Sequence, residues 1–188
     1  MIAPAQVALV LLAAGRSMRF GPADKLAWPV RGDALGLHAA RRLAAVPFGA
    51  HIAVTGGGVD YTALGYEHVP NDAPEMGQSR SIALGVARAR GFAAVMIALA
   101  DMPLVEEAHV MALLARVSGP SSMVASMGEH PCPPAVFGRD WFDALSTLEG
   151  DRGARTLLSG AVLVAASPAS LTDIDTLKDL AESFGTDP

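Results

Sequence analysis

An α/β fold, a three-layer sandwich with helices on both faces of a mostly parallel sheet, is what this sequence predicts, and three observations carry it. Short apolar runs rich in β-branched residues alternate with stretches of helical periodicity from Val7 to Val117. The leading run shows no polar alternation, the pattern of a strand covered on both faces. That run, Val7 to Leu12, stops abruptly at a stretch containing glycine and arginine, as a central strand does where it empties into a loop.

In chain order the strands are expected at Val7 to Leu12, His51 to Thr55, Tyr66 to Val69 and Ala94 to Leu99. Helices are expected between them at Leu35 to Val46, Gln78 to Arg90 and Glu106 to Val117, the last with Val110, Leu113, Leu114 and Val117 on one face. Parallel neighbours need a crossover, nearly always right-handed, so the alternation places helices on both sides of the sheet. The final third is less regular. Strands are expected near Met123 to Ser126, Pro134 to Phe137 and Ala161 to Ala165, with helices near Arg139 to Leu148, Arg152 to Leu158 and Thr176 to Phe184. Mixed strand directions are expected there.

A chain of 188 residues suits one domain, 1–188, able to bury roughly 70% of its unfolded surface without staples. No repeat, low-complexity tract or linker divides it. With 51% hydrophobic and 18% charged residues it has the composition of a folded globular protein. A net charge of -5 offers no basic face for a phosphate backbone, which argues against nucleic acid as a partner. One cysteine, Cys132, permits no internal disulfide, and no zinc-like spacing occurs, so the cytoplasm is the expected compartment. The apolar start VALVLLAAG has no basic residue before it and falls far short of the ~20 residues a membrane span requires, so it reads as a buried strand.

The strongest chemical signal is LAAGRSMRFGPADK, Leu12 to Lys25. It concentrates flexible backbone and positive charge at one strand end, where open α/β sheets bind ligands. Gly15 and Gly21 let the main chain approach phosphate oxygens, and Arg16, Arg19 and Lys25 supply charge. At 4 Å and an effective dielectric near 20, one such charge is worth roughly 4 kcal/mol against one phosphate charge. Neither GxxxxGK followed by Ser or Thr nor GxGxxG occurs, which removes the two common phosphate loops. A bare glycine turn with solvated basic residues explains such a loop less well than the ordered pattern GxSxRxGxxxK.

Through this pattern the chain resembles the molybdenum cofactor nucleotidyltransferases, the MobA-like NTP transferases, whose signature opens LAAGxSxRxG or LAGGxSxRxG and closes on a lysine. Gly15, Ser17, Arg19, Gly21 and Lys25 follow in that order. The resemblance continues through Asn71, GQSRSIALG from Gly77 through Ser81 to Gly85, LADMP at Leu99 to Pro103, PAVF at Pro134 to Phe137, GDRGAR at Gly150 to Arg155 and DIDT at Asp173 to Thr176. The first motif is common to sugar and alditol nucleotidyltransferases; GDRGAR and DIDT in sequence point to the molybdopterin branch. The resemblance implies a Rossmann-like fold of the nucleotide-diphospho-sugar transferase type. It also implies Mg²⁺-dependent transfer of a nucleoside monophosphate to the phosphate of molybdopterin, with release of pyrophosphate.

Several site roles follow from the same resemblance. Leu12, Ala13, Ala14, Gly15, Arg16, Ser17 and Lys25, with Asn71, Gly77 and Ser81, would hold the nucleotide. Asp101 follows an apolar strand and so emerges at the edge that carries the Gly15 loop, where Mg²⁺ would sit with one or two carboxylates and the substrate phosphates. A helix cap or turn is its alternative role. Asp175 is the expected second carboxylate, with Asp173 as the fallback; either residue also suits a cap for the helix near Thr176. Arg19, Lys25 and Asp101 are the expected catalytic groups. Asp151 and Arg155 would lie on the acceptor side, although Arg152 and Arg155 also suit pairing with Asp151 or Glu149.

In the family LAAG accompanies CTP and LAGG accompanies GTP, so the resemblance, through Ala14, implies CTP; one methyl group discriminates by only about 1 to 3 kcal/mol, which leaves GTP open. An ionised acceptor phosphate needs no general base, consistent with five scattered histidines. GEHPCPP, Gly128 to Pro134, departs from the family's glycine-rich acceptor segment, and its three prolines stiffen it. Cys132 there reads as a small packed residue rather than a nucleophile. The remaining expectations are a molybdoenzyme or its chaperone as recipient, a sugar or alditol phosphate as the alternative acceptor, and a non-catalytic cofactor-binding accessory protein as the rival class.

Overall fold

The computed structural model describes residues 2–15, 20, 24–150 and 153–185. Its main sheet has seven strands: β1 (Val7–Ala13), β4 (Ala50–Thr55), β5 (Glu67–Pro70), β6 (Ala94–Leu99), β7 (Met123–Met127), β8 (Pro131–Gly138) and β9 (Val162–Ala165). They lie in the order β5-β4-β1-β6-β8-β7-β9. β1 pairs in parallel with β4 and β6, and β4 with β5. β8 runs antiparallel to β6 and β7, while β9 is parallel to β7, so β8 alone is reversed. The mixed directions expected of the final third are this reversal.

β1 explains the three layers. All seven of its residues are buried, and alternate ones face opposite cores. Val7, Leu9 and Leu11 pack with Ala39, Ala40 and Leu43 of α1 (Leu35–Ala44) and with Val110, Leu113 and Leu114 of α3 (Glu107–Ala115). Ala8, Val10 and Leu12 pack with Ile82, Val86 and Ala89 of α2 (Gln78–Ala89) and with Phe142 and Leu145 of α4 (Phe142–Ser146). Gly85 lets α2 lie close on β1, since a Cβ there would come within 2.3 Å of Val10 Cγ1. This is the expected three-layer α/β sandwich.

Four details differ from the sequence reading. The expected helix at Arg139 to Leu148 splits into a 3₁₀ turn, Arg139–Trp141, and α4. The segment expected as a helix at Arg152 to Leu158 is 3₁₀ over Gly153–Gly160. β8 starts at Pro131, taking in the prolines of the GEHPCPP segment. Its pairing with β6 is confined to Ala135 through Gly138, so those prolines need satisfy β7 alone, beside a register shift at Ala125/Ser126. Fourthly, a small hairpin, β2 (Pro29–Val30) and β3 (Asp33–Ala34), follows the glycine loop. Its turn residues Arg31 and Gly32 both have positive φ, 49° and 87°, as a type I′ turn requires.

That hairpin receives α5 (Leu177–Phe184). Arg31 donates to the Phe184 carbonyl at 3.1 Å and lies over its ring, and Leu180 and Phe184 cover Val30, Leu35 and Ile174. Thr176 caps α5, with Asp179 completing the capping box.

A buried polar link ties α3 to the sheet. Ser126 Oγ donates to the Pro134 carbonyl at 2.8 Å and so accepts from His109 Nε2 at 2.7 Å, which calls for a proton on Nε2. Burial pushes the His109 pKa below its ordinary 6.5. As pH falls the unfolded chain therefore takes the proton first, and stabilisation present above about pH 6.5 is lost below it. His109→Gln keeps a donor without titrating. Thermal unfolding of this variant is expected to vary less with pH between about 7 and 5 than that of wild type; an equal pH dependence would contradict the assignment.

Candidate active site

The parallel strands deliver their carboxyl ends to one edge of the sheet, and the sequence-predicted residues gather there. Ala13 ends β1, and Ala14 and Gly15 follow it. Asn71 follows β5, and its amide donates to the Thr55 carbonyl at the end of β4 at 2.8 Å. Asp101 follows β6, anchored where the Ala100 amide donates to the Leu12 carbonyl at 3.1 Å. Arg16, Ser17, Arg19, Gly21 and Asp151 lie outside the described residues.

The centre of this edge is an ion triad drawn from distant parts of the chain. Lys25 Nζ lies 2.8 Å from Asp101 Oδ2 and 3.4 Å from Asp175 Oδ1. The lysine side chain is 7% exposed, the two aspartates 24% and 26%. The ammonium is thus enclosed and both aspartates are partly exposed. The Ile174 amide donates to the Asp101 carbonyl at 2.9 Å, which fixes the DIDT segment beside the β6 loop. The capping roles considered for Asp173 and Asp175 are filled by Thr176, and α3 begins at Glu107, well beyond Asp101. Lys25, expected to face phosphate, is paired with carboxylates here.

Asp173 lies on the same segment. Partial burial, then the charges of Asp175 and Asp101, push its carboxyl above the usual range, with Lys25 opposing. Asp101 Oδ1 is buried and has no hydrogen-bond partner. An unpartnered carboxylate oxygen beside a second carboxylate suits a hard cation. Among the described residues no three His, Cys, Asp or Glu side chains form a metal cage, and magnesium characteristically takes one or two carboxylates and completes its shell with phosphate and water.

A second polar unit lies at the β5 end of the same sheet edge. Asn71 Nδ2 donates to Ser81 Oγ at 2.9 Å in a buried contact, and Asn71 Oδ1 accepts from the Ala73 amide at 3.1 Å. Gly77 caps α2 without a side-chain bond. The free amides expected at that helix start are reduced by one, because the Ser79 amide donates to the Gly150 carbonyl at 3.2 Å. Gly150 and Gly153 of the GDRGAR segment therefore pack on the start of α2. Gly153, at φ 54°, adopts a left-handed backbone that favours glycine, and it lies against the end of the Gln78 side chain. Arg155 is exposed and acts electrostatically on half-buried Cys132, whose thiol burial pushes above its ordinary pKa.

Sequence reasoning missed Asp24 and Tyr61. The Asp24 carboxylate accepts from the Leu26 amide at 3.0 Å and lies against Gly58, where a Cβ would be 2.0 Å from Oδ2. Tyr61 is 2% exposed, and its hydroxyl has no partner. Burial, with Asp24 and Asp101 nearby, raises its pKa. The glycine triplet Gly56 to Gly58, directly after β4 at the same sheet edge, was the available signal.

With this geometry in view, comparison with known proteins gives one consistent answer. Residues 9–168 match the MobA-like NTP transferase domain. The chain belongs to the MobA-like NTP transferase family. Among curated relatives, the purine catabolism protein PucB of Bacillus subtilis is 34% identical, covering 89% of this chain and 90% of that protein. The solved Rv0371c of Mycobacterium tuberculosis, a complex with manganese, superposes with a TM-score of 0.73 at 22% identity, covering 97% of this chain and all (100%) of the other. Molybdopterin-guanine dinucleotide biosynthesis protein A from Archaeoglobus fulgidus superposes with a TM-score of 0.65 at 17% identity, covering 94% and 96%. No described helix is long and apolar enough to cross a membrane.

The Asn71 to Ser81 link joins the β5 edge to α2, so Asn71→Ala is expected to cost about 1–3 kcal/mol of stability by stranding the Ser81 hydroxyl and the Ala73 amide. Urea unfolding measures it, and an unchanged midpoint would show that the link carries no load.

Proposed function

We propose that this protein is a Mg²⁺-dependent nucleotidyltransferase, one catalytic domain over residues 1–188, that transfers CMP from CTP to the phosphate of molybdopterin and releases pyrophosphate. The observation that carries this reading is the meeting of Lys25, Asp101 and Asp175 at the carboxyl edge of the sheet. Membership of an NTP transferase family supports the reaction class. The acceptor is supported by GDRGAR and DIDT, and by the name of the Archaeoglobus neighbour. Ala14 supports CTP.

In this reading Asp101 and Asp175 hold the metal, and Asp101 Oδ1 gains the partner it otherwise lacks. Bound there, Mg²⁺ supplies Lewis-acid neutralisation of phosphate charge. Lys25 and Arg19 offset charge on the transferring and leaving oxygens. The Gly15 loop, with Arg16 and Ser17, and the Asn71, Gly77 and Ser81 unit hold the nucleotide so that the acceptor phosphate attacks the α-phosphorus in line. No covalent enzyme intermediate and no general base are required, because the attacking phosphate is already ionised near neutral pH. Asp151 and Arg155 serve the acceptor side. A cytoplasmic molybdoenzyme or its chaperone receives the product.

Incubation with molybdopterin, CTP and Mg²⁺ is expected to yield the cytosine dinucleotide, identified by mass, with stoichiometric pyrophosphate. Asp101→Ala is expected to lower turnover by at least about 100-fold. Nucleotide binding without pyrophosphate from any acceptor would instead establish an accessory protein, and a product formed from GTP or a sugar phosphate would replace the substrate assignment.

A further inference from the structure

Resting on that reading, the geometry points to a second role for Lys25: it is a displaceable internal counter-ion that competes with the metal for Asp101 and Asp175. Its ammonium approaches one oxygen of each carboxylate, at 2.8 and 3.4 Å, from the enclosed side. The carboxylates, 24% and 26% exposed, remain reachable from solvent. A divalent cation held through Asp101 Oδ1 and Asp175 sets a second positive charge against the same two carboxylates and so weakens their hold on Lys25. A buried ammonium does not persist without an anion, so a displaced Lys25 needs another. The chemistry already proposed for the site brings one, the triphosphate. Metal and nucleotide then bind with positive coupling, and Lys25 carries part of it.

The residue type fits this exchange. Of the 14 Lys and Arg residues only Lys25 and Lys178 are lysines. An ammonium is a compact point charge on a flexible stem and can change partners, whereas a planar guanidinium is suited to fixed bidentate pairing. With two carboxylates against one ammonium, this cluster of described residues stays net anionic even with Lys25 in place. It therefore holds its carboxylates together without metal and still attracts a cation.

The presence of two lysines makes the test direct. In protein labelled with ¹⁵N-lysine, the Lys25 ammonium is expected to give a slowly exchanging resonance without metal, while Lys178, 82% exposed, serves as an internal reference. Saturating Mg²⁺ is expected to shift or broaden the Lys25 signal, and a non-hydrolysable CTP analogue to restore a protected signal at a new position. In parallel, Mn²⁺ binding followed by electron paramagnetic resonance is expected to tighten about tenfold in Lys25→Met without nucleotide. A Lys25 resonance unmoved at Mg²⁺ saturation, or equal Mn²⁺ affinity in the two proteins, overturns the exchange while leaving the metal site intact. Absence of Mn²⁺ binding in both proteins, with and without nucleotide, overturns the metal site and the exchange together.

Discussion

The structure depends on keeping one ammonium out of water. Lys25 is enclosed, and an enclosed charge persists only if opposite charges meet it at hydrogen-bond distance. Those charges come from residues 76 and 150 positions away in sequence. The β6 loop and the DIDT segment must therefore converge on the end of the glycine loop. Breaking such an arrangement from one side leaves a buried charge unmatched, which typically costs 3–5 kcal/mol, so the same contact that defines the site also closes the fold.

The remaining elements divide into those that make the sheet edge and those that hold the triad on it. β1 is buried on both faces, and its neighbours β4 and β6 set the level at which Asn71 and Asp101 emerge. The hairpin and α5 do the holding. α5 has no buried residue of its own and is kept by Arg31, Phe184 and the small cluster around Ile174. A left-handed Arg31 at φ 49° costs local backbone energy, and its contacts with Phe184 offset that cost. Asp175 thus belongs to the more lightly attached part of the site, whereas Asp101 belongs to the sheet.

Much of this was readable from the chain because the signals were periodic or confined to a strand end. Ala94 to Leu99 is β6 as expected, and Asp101 emerges at the expected edge, since an apolar run of strand length leaves few other placements. The 3₁₀ turns at Arg139–Trp141 and Gly153–Gly160 were not readable, because i+3 and i+4 spacings look alike over so few residues. Pro131 and Pro133 argued against a strand before Pro134, and only the limited pairing of β8 with β6 makes them tolerable. The convergence of Asp175 on Lys25 came from motif resemblance, because no local pattern encodes a contact across 150 residues. Tyr61 and Asp24 carried no pattern of their own; their place follows from Gly58 and from chain closure around the triad.

The central claim is that this sheet edge binds a divalent cation between Asp101 and Asp175 when a nucleotide is present. Anomalous diffraction from crystals grown with Mn²⁺ and a non-hydrolysable CTP analogue tests it most directly. The account predicts an anomalous peak within coordination distance of both carboxylates and of the triphosphate. A nucleotide bound with no peak there, or with the metal held by other side chains, would contradict it.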